Sequence, residues 1–455
     1  MEHPGTGAKS MKVAFVQFGD SGVSKGGGYV AGAIINEGHD LDFFDTYLSK
    51  PDAIADSIIK GDHELLMMSI MTMDVPKAVE LIDRVKAKRS IPVLVGGIHP
   101  TIVGARFLEQ YPQIDYLCIG EGESMAVEFI ENLGKPSLLQ VQNLAYRKDG
   151  KAVINPIRPP EPLESLPPFP YRLYSRKRIV SGDGFLSVAA TRGCPYRCTY
   201  CCNKIYLDHY GKDYLRKRPI EQVISEMIFL KERYRPRFFL LSDEMMLWEE
   251  QYAKDLFMAI KERVGIPYGF MARAEHIDEE TVKIAKETGC QYVGIGIECG
   301  DEKFRKEHLK RYMTNEQIVR AFQLLKAAGI STTSYNMIGF PFDNDEELTK
   351  ATMELNRQAE PTFVQVTIFY PFPGTALYDY CVEKDLIDTT KSMTDYYSDT
   401  VLKRPSLANR PKEISEMFST SWNWRNKWHN VDYLLYVFSY KVWSIMQRIK
   451  SNPVD

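Results

Sequence analysis

The chain has 455 residues, and its 57 basic and 60 acidic residues give a formal net charge of −3 at pH 7. That balance produces no global field to attract a nucleic acid or an acidic surface, so no nucleic-acid partner is expected. The length predicts about two or three domains, each with its own core. Eight cysteines in a chain this long, with no signal peptide recognisable at its start, do not predict a disulfide framework.

The N-terminal third is predicted to be a parallel α/β domain. Residues 1–10 are polar and look like a tag or disordered lead, whereas residues 11–150 alternate short apolar runs with helical patterns. The predicted strands are Val13–Phe18, Leu65–Ile70, Val93–Val95 and Tyr116–Ile119. A loop of small or polar residues follows each strand, and parallel strands bring such loops together in one crevice. The candidate ligand contacts in these loops are Gly19, Asp20, Ser69, Thr72, Gly96, Gly97, His99, Gly120, Glu121 and Glu123.

Two common phosphate-binding patterns do not fit this region. The glycine run Lys25-Gly26-Gly27-Gly28 is not closed by the Gly-Lys-Ser/Thr of a P-loop. The GxGxxG fingerprint of a Rossmann nucleotide domain does not follow the first strand. The glycine-containing loops favour instead the close approach of backbone to a large flat ligand.

A proline-rich stretch, residues 151–183, is predicted to link this domain to a second series of strand–helix units in residues 184–385. The predicted strands of the second domain are Phe185–Ala190, Phe238–Leu241, Tyr268–Met271, Tyr292–Ile297, Thr332–Ile338 and Phe363–Ile368. Apolar residues three and four apart indicate helices between them. Six units are too few for a closed eightfold barrel and predict an open, partial (β/α)6 barrel with its chemistry at the carboxyl ends of the strands.

Three cysteines, Cys194, Cys198 and Cys201, follow the first of these strands in a CxxxCxxC spacing. A zinc site usually adds a second pair of cysteines or histidines downstream, and the other cysteines are too scattered to supply one. Cys202 is expected to be a small buried thiol. Three thiolates in one loop can hold three irons of a 4Fe–4S cluster and leave the fourth iron open to a substrate or cofactor.

At this motif the chain resembles the radical SAM superfamily, in which the open iron binds S-adenosylmethionine and cleaves it to a 5'-deoxyadenosyl radical. The runs Gly-Gly-Ile-His-Pro-Thr from Gly96 and Cys-Ile-Gly-Glu-Gly-Glu from Cys118 resemble the cobalamin-binding domain that precedes the barrel in one large subgroup. The resemblance implies a Rossmann-like, flavodoxin-type fold for residues 11–150, and cobalamin contacts for the ten loop residues named above.

The chain departs from that subgroup at one position. Cobalamin domains that supply a lower axial histidine carry Asp-x-His-x-x-Gly after the first strand, and here Asp20 is followed by Ser21 and Gly22. His99 is the nearest substitute for the histidine, but a hydrogen bond to backbone is the favoured role for it.

The resemblance also implies S-adenosylmethionine contacts after the barrel strands. Ser242 and Asp243 follow the second strand and Glu298 follows the fourth, and acidic groups there suit the ammonium of the ligand. Arg311 lies where family members often place a basic residue for the carboxylate. Tyr196, inside the cysteine loop, packs either on adenine or against its neighbours. No residue is assigned a catalytic proton-transfer role.

Residues 386–455 are predicted to form a helical extension, and they hold four of the five tryptophans. The apolar run within residues 431–449 is interrupted by charges and is too short for a membrane span. Two interpretations stay open. The favoured one is a helix that closes the mouth of the active site, and the other is an interfacial helix in contact with a lipid surface.

The resemblance implies an enzyme with a 4Fe–4S cluster, S-adenosylmethionine and cobalamin as cofactors, which methylates an unactivated carbon through methylcobalamin. The alternatives are a non-methylating cobalamin radical SAM cyclase, oxidoreductase or rearrangement enzyme, and an iron–sulfur or cobalamin sensor. A small molecule, lipid or natural-product intermediate is the expected substrate, and a flavodoxin or ferredoxin the expected electron donor. The oxygen-sensitive cluster and reduced cysteines predict an anaerobic, cytoplasmic protein.

Overall fold

The computed structural model describes residues 10–19, 22–391 and 400–403. Within these residues the chain forms two sheets, each packed against helices, and one short ribbon. The predicted helical extension and the four C-terminal tryptophans lie outside the described residues, apart from the few residues of the extension up to 403. None of the helices in the described ranges is both long and apolar enough to cross a membrane.

The N-terminal domain is built on a seven-stranded sheet. Its strands are β1 (Lys12–Gln17), β2 (Asp40–Asp45), β3 (Leu65–Ser69), β4 (Val93–Gly96), β5 (Tyr116–Cys118), β6 (Leu144–Lys148) and β7 (Lys151–Ile154). The order across the sheet is β2-β1-β3-β4-β5-β6-β7, with β1 to β5 parallel and β6 and β7 antiparallel. The helices of this domain are α1 (Lys25–Asn36), α2 (Pro51–Lys60), α3 (Val75–Lys86), α4 (Ile98–Val103), α5 (Ala105–Gln110) and α6 (Glu123–Asn132).

The four predicted strands are present, and three further strands complete the sheet. The inner strands β1, β3 and β4 are almost entirely buried, because apolar clusters cover both faces of the sheet. Strand β2 was missed because its sequence, Asp-Leu-Asp-Phe-Phe-Asp, is half acidic, as an edge strand can be. The hairpin β6–β7 carries the sheet to Ile154, four residues into the segment predicted as linker.

The proline-rich linker packs against both domains. Its aromatic residues Phe169, Tyr171 and Tyr174 are buried and join the hydrophobic core of the barrel. Phe169 meets Tyr29 of α1 with ring centroids 5.2 Å apart, and Tyr174 meets Phe43 of β2 at 5.0 Å. Aromatic pairs of this kind make the linker a shared core between the domains.

The second domain contains all six predicted strands, in one parallel sheet. They are β8 (Phe185–Val188), β11 (Phe238–Leu241), β12 (Tyr268–Ala272), β13 (Cys290–Glu298), β14 (Ser331–Ile338) and β15 (Phe363–Ile368), and the ribbon strands β9 (Thr191–Arg192) and β10 (Arg216–Lys217) lie between the first two. Sheet order follows chain order, and β8 and β15 are the two edges, so the barrel is open. This confirms the predicted α/β fold class.

Helices connect the barrel strands as in a run of βα units. After α7 (Arg176–Ile179) in the linker, they are α8 (Asn203–Tyr210), α9 (Ile220–Tyr234), α10 (Glu250–Ala259), α11 (Glu279–Glu287), α12 (Glu302–Glu307), α13 (Asn315–Ala327), α14 (Asp345–Ala359) and α15 (Ala376–Glu383). The predicted apolar residues Val223, Ile224 and Met227 of α9 are fully buried against the sheet. The carboxyl ends of the strands are thereby left free of helices, and the loops there build the site.

Candidate active site

The backbone that enters the cysteine loop is held by two consecutive carboxylates after β11. Asp243 Oδ1 accepts hydrogen bonds from the backbone N–H of Ala190 at 2.9 Å and of Thr191 at 2.5 Å, and from the Thr191 hydroxyl at 2.7 Å. Glu244 Oε2 accepts from the backbone N–H of Gly193 at 3.4 Å. Asp243 Oδ1 is therefore held by these groups, whereas Asp243 Oδ2 is buried with no hydrogen-bond partner among the described residues. The ligand contact that the sequence predicted for Asp243 stays a prediction.

The three cysteines of the motif lie close enough to influence one another. Burial, and then the neighbouring Cys201 and Cys198, raise the pKa of the Cys194 thiol to about 12. Arg273 Nη1 lies 3.6 Å from Cys198 Sγ, within reach of a hydrogen bond to the sulfur. In the described part of the chain, no three Cys, His, Asp or Glu side chains are arranged to share one metal ion. A cluster has no such requirement, since each thiolate binds a different iron.

Tyr196 is engaged by residues of the barrel. The Arg273 guanidinium lies 3.6 Å from the centre of its ring, and its hydroxyl is 2.6 Å from His276 Nε2. Arg273 in turn pairs with Glu275 at 2.7 Å. The packing role that the sequence allowed for Tyr196 is visible, and a contact with adenine stays a prediction.

Glu298 and Arg311, predicted from separate loops, form one buried group with Tyr200 of the cysteine loop. Arg311 Nη1 lies 3.7 Å from Glu298 Oε1 and 3.3 Å from the Tyr200 hydroxyl, and its Nη2 donates to the Gly296 carbonyl oxygen at 2.5 Å. Burial raises the pKa of Glu298 and the Arg311 charge opposes that rise. A Cβ at Gly296 would lie 2.6 Å from Glu298 Oε1 and 3.1 Å from Arg311 Nη2, so a larger residue there would displace both side chains from their present positions.

The backbone at Glu298 is strained. Its φ of 67° lies in the left-handed region, just after an irregularity in the pairing of β13 with β14. Such a conformation costs about 1–3 kcal/mol for a residue other than glycine and persists where the surroundings impose it, often at functional sites. In this conformation the Glu298 carboxylate lies 3.7 Å from Arg311 Nη1.

A cavity of about 560 Å³ lies where the carboxyl ends of the two sheets face each other. We call it the shared cavity. Seven of the ten predicted loop contacts line it: Gly19, Ser69, Gly96, Gly97, Gly120, Glu121 and Glu123. From the barrel side it is lined by Ser242, Glu244 and Cys202 among others. Side chains alternate along an extended chain, which explains why Ser242 and Glu244 reach the cavity while Asp243 points away.

The other three predicted contacts do not line the shared cavity or cannot be placed. His99 Nδ1 lies 3.1 Å from the Thr72 hydroxyl, and the His99 ring packs edge-on against Phe107. Burial lowers the pKa of His99 to about 4, which keeps the ring neutral. The histidine thus has a side-chain partner, where the sequence favoured a backbone partner, and its contact with cobalamin stays a prediction. Asp20 lies outside the described residues.

Two of the acidic residues that line the cavity, Glu121 and Glu123, are paired with arginines of the other domain. Arg192 Nη2 donates to Glu123 at 2.6 Å, and its Nη1 lies 3.4 Å from Glu121. Arg216, opposite Arg192 in the β9–β10 ribbon, binds both carboxylate oxygens of Glu121, one of them at 3.0 Å. The loop after β5 and the strand that leads into the cysteines are therefore joined by two arginine–glutamate pairs.

A second polar connection runs through the linker. Lys25 Nζ donates to the Tyr171 hydroxyl at 2.8 Å, that hydroxyl donates to Glu226 at 2.5 Å, and Arg218 binds the other Glu226 oxygen at 2.5 Å. Lys25 and Arg218 both line the shared cavity. Burial lowers the pKa of Lys25 to about 8.

Comparisons with known protein families match the two domains separately. A model of the B12 binding domain matches residues 11–130, and a model of the radical SAM superfamily matches residues 188–354. The chain is a radical SAM protein with an N-terminal B12-binding domain. The matched ranges include the seven cavity-lining loop residues and the three cysteines.

The radical SAM protein has relatives along most of its length. It is 28% identical over 379 residues to an uncharacterized methyltransferase of Pyrococcus horikoshii, covering 82% of this chain and 81% of the relative. It is 25% identical over 432 residues to the anaerobic magnesium-protoporphyrin IX monomethyl ester cyclase of Rubrivivax gelatinosus, covering 90% of this chain and 74% of the relative.

One solved structure has the same fold across both domains. It is the radical S-adenosylmethionine methyltransferase TsrM from Kitasatospora setae, determined with cobalamin and a 4Fe–4S cluster bound. The TM-score is 0.69 at 18% identity, and the match covers 90% of this chain and 85% of that chain. At that identity the likeness concerns the fold alone.

The residues present fit the cofactors that this family implies. Three neighbouring thiols supply the soft donors that iron prefers, and iron displaces their protons on binding. The shared cavity has glycine-rich walls on the B12-binding side, where the backbone can approach a large ligand closely.

Several site residues were missed from the sequence, and only some had a visible signal. Glu244 completes the acidic run Ser242-Asp243-Glu244 after the second barrel strand, but only the first two residues of the run were predicted as contacts, and strand alternation could have added the third. Arg192 lies two residues before Cys194, so a charged residue at the start of the predicted cluster loop was a visible signal. Arg216 had no such signal, because its role comes from tertiary contacts.

We expect Asp243→Asn to preserve the contacts of Ala190 and Thr191 and to stabilise the protein above pH 7. Burial raises the pKa of Asp243 from 3.8 to about 7. Between these values the folded protein keeps a proton that the unfolded chain releases, so stability falls as the pH rises through this window. The variant should gain about 1–3 kcal/mol at pH 8 and nothing near pH 4, measured by anaerobic urea unfolding.

The control for this variant is Asp255→Asn on the exposed side of α10, which should change stability by less than about 0.5 kcal/mol at both pH values. Loss of S-adenosylmethionine binding by a folded Asp243→Asn protein would contradict the structural role and restore Asp243 as a ligand contact.

We expect Arg192→Gln to weaken the junction of the two domains. The change leaves Glu123, only 6% exposed, without its partner, which costs about 2–4 kcal/mol in partly buried pairs. Urea unfolding should report the loss, and Arg192→Lys should recover part of it. Arg320→Gln, which breaks the exposed pair with Glu279, should cost less than about 1 kcal/mol. Equal losses of stability in Arg192→Gln and Arg320→Gln would show that the Arg192–Glu123 pair contributes no more than an exposed pair.

Proposed function

We propose that this chain is a cobalamin-dependent radical SAM methyltransferase that transfers a methyl group from S-adenosylmethionine to an unactivated carbon of a small molecule. The proposal rests mainly on the position of the shared cavity. It joins the carboxyl ends of the B12-binding sheet to the mouth of the barrel, beside the cysteine loop. Both domains therefore present their ligand-binding ends to one partly open space.

The residues of this chain hold and orient the cofactors. When bound, the cluster supplies the electron that cleaves S-adenosylmethionine, and the cobalamin carries the methyl group. Cys194, Cys198 and Cys201 hold the cluster. Ser242 and Glu298, with Arg311 as the counter-charge, bind the amino acid part of S-adenosylmethionine. The apolar walls of the cavity exclude water from the reacting atoms.

The relatives support methylation of a small molecule. The Pyrococcus horikoshii protein bears the name methyltransferase, and a further relative is the cytidylyl-2-hydroxyethylphosphonate methyltransferase of Streptomyces wedmorensis. The TsrM enzyme has also been solved with a tryptophan substrate. These substrates differ in chemistry, so the proposal names the reaction and leaves the substrate open among small molecules, lipids and natural-product intermediates.

A cyclase is the second candidate, because the Rubrivivax gelatinosus cyclase aligns with 90% of this chain. A cyclase forms a carbon–carbon ring bond without consuming a methyl group. S-adenosylhomocysteine formed in equal amount to a methylated product separates the two reactions, since a non-methylating enzyme makes neither.

The cellular setting is proposed from the chemistry. A cluster that oxygen destroys and eight free thiols suit a reducing cytoplasm under anaerobic conditions. A flavodoxin or ferredoxin supplies the electron. We assign residues 11–150 to the cobalamin domain and 184–385 to the barrel. The extension in residues 386–455 closes the active-site mouth, with contact to a membrane surface as the alternative.

The proposal is tested by anaerobic reconstitution with iron, sulfide and hydroxocobalamin, followed by mass spectrometry of S-adenosylmethionine products after dithionite reduction. We expect 5'-deoxyadenosine from the wild type and none from Cys198→Ala, because the cluster loses one of its three ligands. Cys202→Ala is the matched control and should keep its iron content. Cleavage of S-adenosylmethionine by a protein that does not retain cobalamin would contradict methyl transfer through cobalt.

Glu298→Gln tests the S-adenosylmethionine site itself. Loss of one charge-assisted hydrogen bond should weaken S-adenosylmethionine binding about 10- to 100-fold, measured by equilibrium dialysis on the reconstituted protein. Iron content should not change, because Glu298 is not a cluster ligand. An unchanged affinity of Glu298→Gln for S-adenosylmethionine would show that Glu298 is not part of the binding site.

A further inference from the structure

Arg273 is a buried arginine whose side chain reaches the cysteine loop. It directly follows strand β12 and is only 5% exposed. Its Nε donates to Glu275 Oε1 at 2.7 Å. Its Nη1 lies 3.6 Å from Cys198 Sγ, and its Nη2 lies 3.8 Å from Met313 Sδ. All three nitrogen atoms of the guanidinium therefore have a partner, and one of these partners is a sulfur of the CxxxCxxC motif.

Two further contacts hold Arg273 in this position. Its guanidinium lies 3.6 Å from the centre of the Tyr196 ring, and Tyr196 stands between the first two cysteines of the motif. The Tyr196 hydroxyl is 2.6 Å from Nε2 of His276, three residues after Arg273. A guanidinium that stacks on an aromatic ring in a buried position is held by that attraction as well as by its hydrogen bonds. The segment after β12 thus keeps a positive charge next to Cys198.

Arg311, another buried arginine of the site, is directed elsewhere. Its nitrogen atoms contact the Tyr200 hydroxyl at 3.3 Å, Glu298 Oε1 at 3.7 Å and the Gly296 carbonyl oxygen at 2.5 Å. These contacts lead to oxygen atoms, whereas Arg273 combines one carboxylate with two sulfur atoms. The two arginines therefore suit different tasks within the same barrel mouth.

We propose that Arg273 raises the reduction potential of the cluster by donating a hydrogen bond to the sulfur of Cys198. This inference rests on the proposed function, because it requires a 4Fe–4S cluster on the three cysteines. Arg273 is then a positioning residue that acts through a cluster ligand and touches neither S-adenosylmethionine nor the substrate.

The direction of the effect follows from charge. Reduction adds one electron to the cluster, so the reduced form gains more than the oxidised form from a nearby cation and from an N–H donor to a ligand sulfur. The guanidinium stays protonated throughout the working pH range, so the effect does not depend on its titration. Burial strengthens it, because the interior screens charge less than water does. Glu275, at 2.7 Å from Arg273 Nε, opposes the effect with its negative charge.

The test is an anaerobic potentiometric titration of the reconstituted full chain without S-adenosylmethionine, followed by the electron paramagnetic resonance signal of the reduced cluster. Arg273→Met keeps an unbranched apolar side chain but has neither the charge nor an N–H donor. At a fixed potential its ratio of reduced to oxidised cluster should fall about three- to tenfold, since only the difference in hydrogen-bond strength between the two oxidation states counts. A tenfold fall corresponds to a potential about 59 mV more negative for a one-electron couple. Arg273→Lys keeps the charge and should recover part of the loss.

Glu275→Gln tests the same pair in the opposite direction. Glutamine still offers an oxygen to Arg273 Nε but removes the negative charge, so the ratio of reduced to oxidised cluster should rise. A general loosening of the cysteine loop would shift Arg273→Met and Glu275→Gln in the same direction. Arg320→Met, on the exposed side of α13, is the matched control for the arginine change and should leave the ratio unchanged.

The outcomes separate this inference from the proposed function. Equal potentials in the wild type and Arg273→Met, or shifts of Arg273→Met and Glu275→Gln in the same direction, would overturn the role of Arg273. If Arg273→Met does not assemble the cluster, the Glu275→Gln titration decides, and an unchanged potential there would overturn the inference. Failure of the wild type to assemble a 4Fe–4S cluster would contradict the proposed function instead.

Discussion

The site depends on how the backbone just before the first cysteine is held. Asp243 and Glu244 bind the N–H groups of Ala190, Thr191 and Gly193 from the barrel side. Arg192, between them, binds carboxylates of the B12-binding domain. Each residue of this short segment is thus fixed by an acidic group, and the acids come from both domains. The segment that leads into the cysteine loop is therefore tied to the ligand-binding edges of both domains.

The junction between the two domains combines apolar packing with ion pairs, and the two kinds of contact have different effects. The linker aromatics bury apolar surface against α1, β2 and the barrel, which favours association without direction. The arginine–glutamate pairs add little net stability, since their desolvation offsets much of their attraction, but a mismatched pairing would leave charges buried and unpaired. Apolar packing therefore holds the domains together, and the charges fix the orientation in which they meet. Only that orientation aligns the two sets of carboxyl-end loops around one cavity.

The sequence was most informative where local pattern decides structure. Apolar periodicity predicted all six barrel strands and the strands β1, β3, β4 and β5 of the first sheet. The cysteine spacing identified the loop expected to hold the cluster. The acidic residues Glu121 and Glu123 were read as ligand contacts because their loop lies at the right edge. Their arginine partners are more than sixty residues away in the chain, so the neutralisation of both carboxylates could not be seen. The environment of His99 also could not be seen in the sequence, because its contact with Thr72 and its burial depend on how α4 packs.

The pairing of these acids changes what the cavity can recognise. With Glu121 and Glu123 paired with Arg192 and Arg216, two of the carboxylates that line it on the B12-binding side are neutralised before any ligand arrives. Glycine backbone and apolar side chains make up much of the remaining wall there, and Lys25 and Asp74 add charged groups. Such a wall suits a large cofactor held by shape and by a few polar contacts. The Glu298–Arg311 pair lies deeper in the barrel, and neither residue lines the shared cavity. The residues proposed to bind S-adenosylmethionine through its charges are thus separate from the wall that faces the B12-binding domain.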